Sequence, residues 1–326
     1  MTPPVCLLLP GQGAQHPGMA VALYDREPEF TRVVDAFFDL LGAEGRTLRA
    51  EWLSGKASEL FDDGTRAQPL LFVLGVAVGR TLCHHGVRPT ALLGHSIGEL
   101  AAATLAEVFD LPGAAEVIAS RSAALAEAPA GGMLAVAARP EQLGEFLDDL
   151  VVFGGQNAPV QTVLSGPEHQ LAAVGAALTR AGMAWRRVPA RQAFHSPAMS
   201  VAVARLTAAF GRISLVAPRI PIWSTATAEV VTPDQAGSPG FWAGQLSAPV
   251  LFWPALDALL GTGDHVLVET GPGQQLSTLA RRHPAVRGGA SRVVPLLANR
   301  PEKDWSTWCA ARDQLTELAS SAANHS

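Results

Sequence analysis

The sequence predicts an α/β protein: a large subdomain on a parallel sheet, with a smaller lobe inserted into it. Three observations carry that expectation. Short apolar runs such as Val5–Leu9 and His265–Glu269 alternate with helical periodicity, the order of a sheet built through crossover helices. The run Ala91-Leu92-Leu93 passes directly into GHSIGE, residues 94–99, and then into a helical pattern from Ile97 to Phe109. That describes a nucleophile elbow and makes the large subdomain α/β-hydrolase-like. Between about Gly131 and Pro189 the texture changes to β-α-β-β-α-β, the order of a ferredoxin-like unit, before the larger pattern resumes. The expected division is 1–130 with 190–326 for the large subdomain and 131–189 for the lobe.

In chain order, Val5–Leu9 is a first strand that ends at Pro10 and feeds the glycine-rich loop GQGAQ, residues 11–15. Such a loop exposes backbone N–H groups to an anion, or is simply a tight turn; it has neither P-loop nor dinucleotide spacing. Residues 17–66 are helical scaffold, with Phe30, Val33, Val34, Phe37 and Phe38 on one stripe. Gln68-Pro69 is expected to open an apolar helix, Leu70–Leu82, that His84-His85-Gly86 closes as a C-cap. After the elbow, Pro112–Leu125 is a second helix.

In the lobe the expected strands are Met133–Ala138, Val151–Phe153, Val160–Leu164 and Ala184–Val188, and the expected helices Glu141–Leu150 and Gln170–Ala181. A helix running to about Phe210 follows, then strands at Ile220–Ser224, His265–Glu269 and Arg292–Ala298. A final helix, Trp305–Leu318, precedes a frayed tail at 320–326.

Composition narrows the function classes. Hydrophobic residues at 48% and charged residues at 16% suit a well-buried core and exclude a disordered chain. A net charge of −5 carries no footprint for nucleic acid. No apolar run approaches the roughly 20 residues that span a bilayer, and the N-terminus lacks a basic region, so no membrane association or secretion is expected and the chain is placed in the cytoplasm as a monomer. Cys6, Cys83 and Cys309 are odd in number and far apart, so they read as free thiols and no metal site is expected.

The chemistry centres on Ser96. The elbow projects its hydroxyl from the sheet, aims a helix N-terminus at it, and frees the N–H of Ile97 for an oxyanion. A serine hydroxyl is a poor nucleophile at neutral pH without a general base, and imidazole titrates in the right range. His195, in QAFHSPAM (residues 192–199), supplies one, although alone it reads equally as a helix cap. Arg121, on a mainly Ala/Ile/Leu helix, reads by pattern as a snorkelling or paired charge.

The ordered series GQGAQ, Gln68-Pro69, GHSIGE, Arg121, Gly132-Met133, Asn157, Ser165-Gly166, AFHSP, Gln245-Leu246, Pro249-Val250 and GPG resembles the malonyl-CoA:acyl carrier protein transacylases and the acyltransferase domains of polyketide and fatty acid synthases. The resemblance implies ping-pong acyl transfer. Ser96, activated by His195, takes the acyl group of a coenzyme A thioester and passes it to the phosphopantetheine thiol of an acyl carrier protein. No bound cofactor is implied. The oxyanion hole would be the N–H groups of Gln12 and Ile97, and a backbone carbonyl at Gln245 would orient the histidine. Arg121 would pair with the free carboxylate of a malonyl-type group, with Phe194, His95, Asn157 and Met133 around it. Phe194 is the residue of malonyl-using members, which leave no room for an α-methyl branch.

His16, Gln192 and Leu251 depart from the usual pattern and leave the acyl group open. Arg186, Arg187, Arg191, Arg281, Arg282 and Arg292 are candidates for a patch that docks an acidic carrier. With no ketosynthase or carrier domain attached, the expectation is a free-standing enzyme. The alternatives are a shuttle of a larger acyl or aminoacyl group between two acyl carrier proteins, a hydrolase clearing stalled carriers, and a catalytically dead scaffold.

Overall fold

The computed structural model describes residues 4–56, 61 and 63–323. Its strands are β1 (Val5–Leu9), β2 (Ala91–Gly94), β3 (Gly131–Val136), β4 (Val152–Ala158), β5 (Gln161–Pro167), β6 (Trp185–Val188), β7 (Ile222–Trp223), β8 (Val266–Glu269) and β9 (Arg292–Pro295). The helices of the first half are α1 (Pro28–Leu40), α2 (Gly42–Leu53), α3 (Gly64–His84), α4 (Ile97–Leu105), α5 (Leu111–Ala126) and α6 (Glu168–Arg180). Those of the second half are α7 (Ser200–Phe210), α8 (Pro233–Ala236), α9 (Pro239–Gly244), α10 (Phe252–Leu260), α11 (Gln275–Ala280), α12 (Pro284–Arg287) and α13 (Asp304–Ala323). The expected frayed tail is thus helical as far as Ala323, and residues 324–326 lie outside the described residues.

Five strands form one parallel sheet in the order β7-β2-β1-β8-β9. Alternation along β1 explains why both faces are covered. Leu7 and Leu9 enter a core built with α1, α3, α4, α5 and α7, while Cys6 and Leu8 enter a second core with α10 and α11. The loops after β1, β2 and β8 therefore meet at the carboxyl edge, where open α/β sheets bind ligands.

Helix α3 runs between Gly64 and His84, starting before the Gln68-Pro69 pair expected to open it. Asp63 is its true cap, accepting from Thr65 N–H at 2.9 Å. Pro69 sits inside the helix and has no N–H for the Thr65 carbonyl; the Ser122 hydroxyl of α5 donates to that oxygen instead, at 3.0 Å. By length and composition α3 is apolar enough to cross a bilayer, contrary to the sequence expectation. It is instead wrapped in protein, with its residues from Ala67 to Gly79 buried.

The second sheet is antiparallel, in the order β4-β5-β3-β6. Counted within the lobe, that order is 2-3-1-4, the ferredoxin-like arrangement. The expected helix over 141–150 is absent: two short 3₁₀ turns, Pro140–Gln142 and Gly144–Phe146, take its place. Gly144 weakens a helix there, and the Asp148 carboxylate accepts the N–H groups of Leu150 (2.8 Å) and Val151 (2.6 Å), offering the backbone a turn instead. Leu134, Val136 and Leu164 face α6 in a small core of their own. Met133, Ala135, Val163 and Val188, on the other face, line a cleft against the large subdomain.

Candidate active site

Ser96 holds φ 53° and ψ −119°, a conformation a non-glycine residue adopts only when its surroundings impose it. Two glycines make the turn possible. A Cβ at Gly94 would lie 2.3 Å from the Glu99 nitrogen, and one at Gly98 would lie 2.1 Å from the Leu9 oxygen. The elbow is pressed against the end of β1, where no other residue fits.

The imidazole beside Ser96 comes from the segment after the lobe. His195 also has positive φ, 61°, and its N–H is fixed to the Leu246 carbonyl at 2.9 Å. Its ring Nδ1 lies 2.8 Å from the Ala248 carbonyl oxygen and its Nε2 lies 3.0 Å from Ser96 Oγ. A carbonyl only accepts, so Nδ1 carries the proton and Nε2 is left to receive the serine's. The orienting carbonyl is thus that of Ala248, three residues past the expected Gln245. Residues 245–248 turn at the end of α9, which brings the later carbonyl to the ring. Burial pushes the His195 pKa down to about 4, against the Ala248 hydrogen bond and helped by the charge of Arg121.

Ile97 is the first residue of α4, so its N–H has no acceptor within the helix. Gln12 lies in the loop after β1 and lines the same cleft as Ser96 and His195. The cleft has a volume of about 250 Å³. His95, Met133, Asn157 and Phe194 also line it, and His95 Nε2 is 2.8 Å from Asn157 Oδ1.

Arg121 is 5% exposed, and among the described residues no carboxylate pairs with it. The surface-charge reading from pattern alone is therefore wrong. Its Nε donates to Gln68 Oε1 at 2.6 Å, Gln68 Nε2 donates to Gln12 Oε1 at 3.1 Å, and Gln12 Nε2 donates to the Pro189 carbonyl at 3.1 Å. One hydrogen-bonded row so joins the buried guanidinium to the loop after β1. Burial lowers the pKa of Arg121 to about 10, still cationic at neutral pH.

The six arginines proposed as a docking patch do not form one. Arg186 is paired in register with Ala135 and faces the cleft, but its neighbour Arg187 points to the opposite face, beside α6, and pairs with Glu168. Arg292 begins β9, level with the first residues of β1 and β8, at the edge of the sheet away from Ser96. Arg191 is exposed and 4.0 Å from Asp63, and Arg281 is exposed at the end of α11. Arg186 and Arg282 alone of the six share a groove of about 790 Å³ that opens beside the cleft.

Three further residues build this site without a sequence signal for that part: Gln68, expected as a helix opener and family landmark, Glu99, and Ala248, which acts through its carbonyl. Ser165, fully buried, donates its hydroxyl to the carbonyl of Phe194 and holds the AFH segment.

Over residues 6–316 the chain matches the model of the acyl transferase domain family. It is 39% identical over 284 residues to a phenolphthiocerol/phthiocerol polyketide synthase of Mycobacterium tuberculosis, covering 86% of this chain and 19% of that protein. The chain thus spans about a fifth or less of the length of such curated relatives. The acyl transferase domain of SpnD, solved in complex with 2-(pent-4-yn-1-yl)malonyl, superposes with a TM-score of 0.88 at 31% identity, over 98% of this chain and 78% of that one. The malonyl-CoA:acyl carrier protein transacylase of Xanthomonas oryzae pv. oryzae gives 0.84 at 27% identity, over 95% and 98%. The elbow, the histidine and the inserted lobe thus sit in a known architecture, and the chain belongs to the acyl transferase domain family.

Proposed function

We propose that the chain moves a malonyl-type acyl group from coenzyme A, through Ser96, to the phosphopantetheine thiol of an acyl carrier protein. His195 Nε2 takes the Ser96 proton as Oγ attacks the thioester carbonyl, and the oxyanion is held by the N–H groups of Gln12 and Ile97. Collapse breaks the C–S bond, and the leaving thiolate takes the proton from His195. The carrier thiol then gives its proton to His195 and attacks the acyl-serine. Oγ leaves and is reprotonated.

The observation that carries the acyl class is Arg121: a buried cation without a carboxylate partner is costly, and a dicarboxylic acyl group would supply one. A cleft of about 250 Å³ bounded by Phe194 also favours a small acyl group over a long chain. Arg186 and Arg282, in the lining of the wider groove, would meet an anionic carrier or the donor's phosphates.

Intact-mass measurement of the protein after exposure to malonyl-, methylmalonyl-, acetyl- and long-chain-CoA tests the proposal. Malonyl-serine should form fastest, and Arg121→Ala should slow it about 100-fold while leaving acetylation within a few fold, as expected for losing a charge-assisted pair. Undiminished malonylation of Arg121→Ala would overturn the acyl assignment. Loading only from aminoacyl or long-chain carriers would favour the shuttle.

A further inference from the structure

Glu99 is the last residue of GHSIGE, three positions after the serine, in the first turn of α4. It is 1% exposed, yet the acyl transfer steps give it no task. Its Oε1 accepts from Gln245 Nε2 at 3.0 Å, and its Oε2 accepts from the Thr225 hydroxyl at 2.9 Å and the Thr225 N–H at 3.1 Å. All three donors are neutral, and the Ser224 hydroxyl and the two Thr225 groups favour its charged form.

What those donors are attached to gives the carboxylate its meaning. Gln245 begins the segment 245–251, and Thr225 holds the other end, its carbonyl accepting from Leu251 N–H at 2.6 Å. Between these two points, Leu246 accepts the N–H of His195 and Ala248 accepts its ring Nδ1–H. The same segment is stitched to the lobe, where Val250 exchanges backbone bonds with Gly154 (3.0 Å) and Gln156 (2.8 Å). The nucleophile's helix thus grips, through one side chain, both ends of the strip that seats the base.

We infer that Glu99 is a positioning residue, which sets the Ser96–His195 spacing by tying the elbow helix to the 245–251 segment. This rests on the reading of Ser96 and His195 as nucleophile and base. The device works by hydrogen bonding and not by charge. The protonated carboxyl still accepts at one oxygen, and the Thr225 hydroxyl has a second acceptor in the Gly94 carbonyl, 3.3 Å away. Burial raises the Glu99 pKa to about 7, so the protein carries both forms near neutrality.

The test compares Glu99→Leu and Glu99→Gln for two quantities: the rate at which a fluorophosphonate phosphonylates Ser96, and kcat and KM for acyl-CoA. Leucine fills the space but leaves the Gln245 amide and the Thr225 N–H without an acceptor. It should lower labelling and kcat together by about 30-fold or more, with KM within two-fold. Glutamine should recover both to within about five-fold, because the Gln245 amide can turn to accept from it. Should Glu99→Leu prove insoluble, Gln245→Met and Thr225→Val each remove one tie and should each slow labelling several-fold.

A folded Glu99→Leu protein that labels at the wild-type rate would overturn the inference. So would Glu99→Gln as slow as Glu99→Leu, since that points to charge. Wild-type protein that resists the fluorophosphonate altogether would instead refute the nucleophile assignment, and the inference with it.

Discussion

Ser96 Oγ and His195 Nε2, 99 positions apart in sequence, lie 3.0 Å apart, and no carboxylate stands behind the imidazole; the Ala248 carbonyl does. A neutral acceptor fixes the tautomer without holding the ring as an ion pair. Under the proposed function, proton transfer from Ser96 rests on Nε2. His195→Ala should slow acyl-serine formation by about 10²–10⁴-fold, and Ser96→Ala should abolish the covalent adduct, both read by intact mass in a single turnover. A covalent adduct surviving in Ser96→Ala would place the nucleophile elsewhere.

The buried setting of His195 gives a pH signature. Ser96 needs the neutral ring, and burial moves the ring's pKa from 6.5 down to about 4. Acylation should persist at pH 5.5, where an ordinary histidine is mostly protonated, and fall off only further down. Because the folded pKa is the lower one, the unfolded chain takes up this proton first. The stability His195 contributes above pH 6.5 is therefore lost as pH falls towards 4. Arg121 is one cause of the depression, so Arg121→Ala should move the acid limb upward. An acid limb centred at 6.5 in wild-type protein would contradict this account of the ring.

Gln68 links Arg121 to the loop after β1, since it accepts from Arg121 and donates to Gln12, and under the proposed function that joins substrate recognition to the oxyanion hole. Gln68→Leu frees both partners at once. Unlike a residue that touches only the substrate, it should raise KM for malonyl-CoA and lower kcat, each by about 10-fold, consistent with losing a buried charged hydrogen bond and a neutral one. Steady-state kinetics with malonyl- and acetyl-CoA separates the two effects. The acetyl donor should show the kcat loss alone.

Much of this was legible in the sequence because it is local. The elbow is written in consecutive residues, and the lobe's strands in short apolar runs between helical stretches. Arg121 became legible only through resemblance, since a helix of Ala and Leu gives no sign of which face is buried. The 141–150 helix misread a stretch whose polar side chains satisfy the backbone themselves. The Ala248 carbonyl could not be read at all: main-chain atoms leave no trace in residue identity, and their aim is set by how α9 ends. The arginine patch dissolved because alternation along β6 and the register of β9 send neighbouring charges to different faces.

The elbow's tolerance for change is set by contact distances. A Cβ at Gly98 would meet the Leu9 oxygen at 2.1 Å, and that oxygen belongs to the central strand and cannot retreat. Gly98→Ala should therefore cost several kcal/mol or prevent folding, although alanine favours a helix at exposed sites. Gly144, with open space around it, is the control: Gly144→Ala should leave the melting temperature nearly unchanged. Equal stability of the two variants would show that the turn after Leu9 can move.

Glu269 lies at the end of β8, where its carboxylate accepts the N–H groups of Leu276 (2.9 Å) and Ser277 (2.7 Å) and caps α11. Two such donors favour the ion, but burial outweighs them and raises its pKa from 4.5 to about 7. The sign follows. Between those values the folded protein holds the proton and the unfolded chain does not, so the stability Glu269 contributes is complete below pH 4.5 and is lost as pH rises through 7. The slope is at most about 1.4 kcal/mol per pH unit. Glu269→Gln does not titrate and turns an amide donor towards one of the two N–H groups. Urea denaturation should find it less stable than wild type at pH 5, with the gap narrowing by pH 8. A gap that widens with pH would mean that the two N–H groups hold the carboxylate more tightly than burial opposes it, and that α11 is capped by an ion.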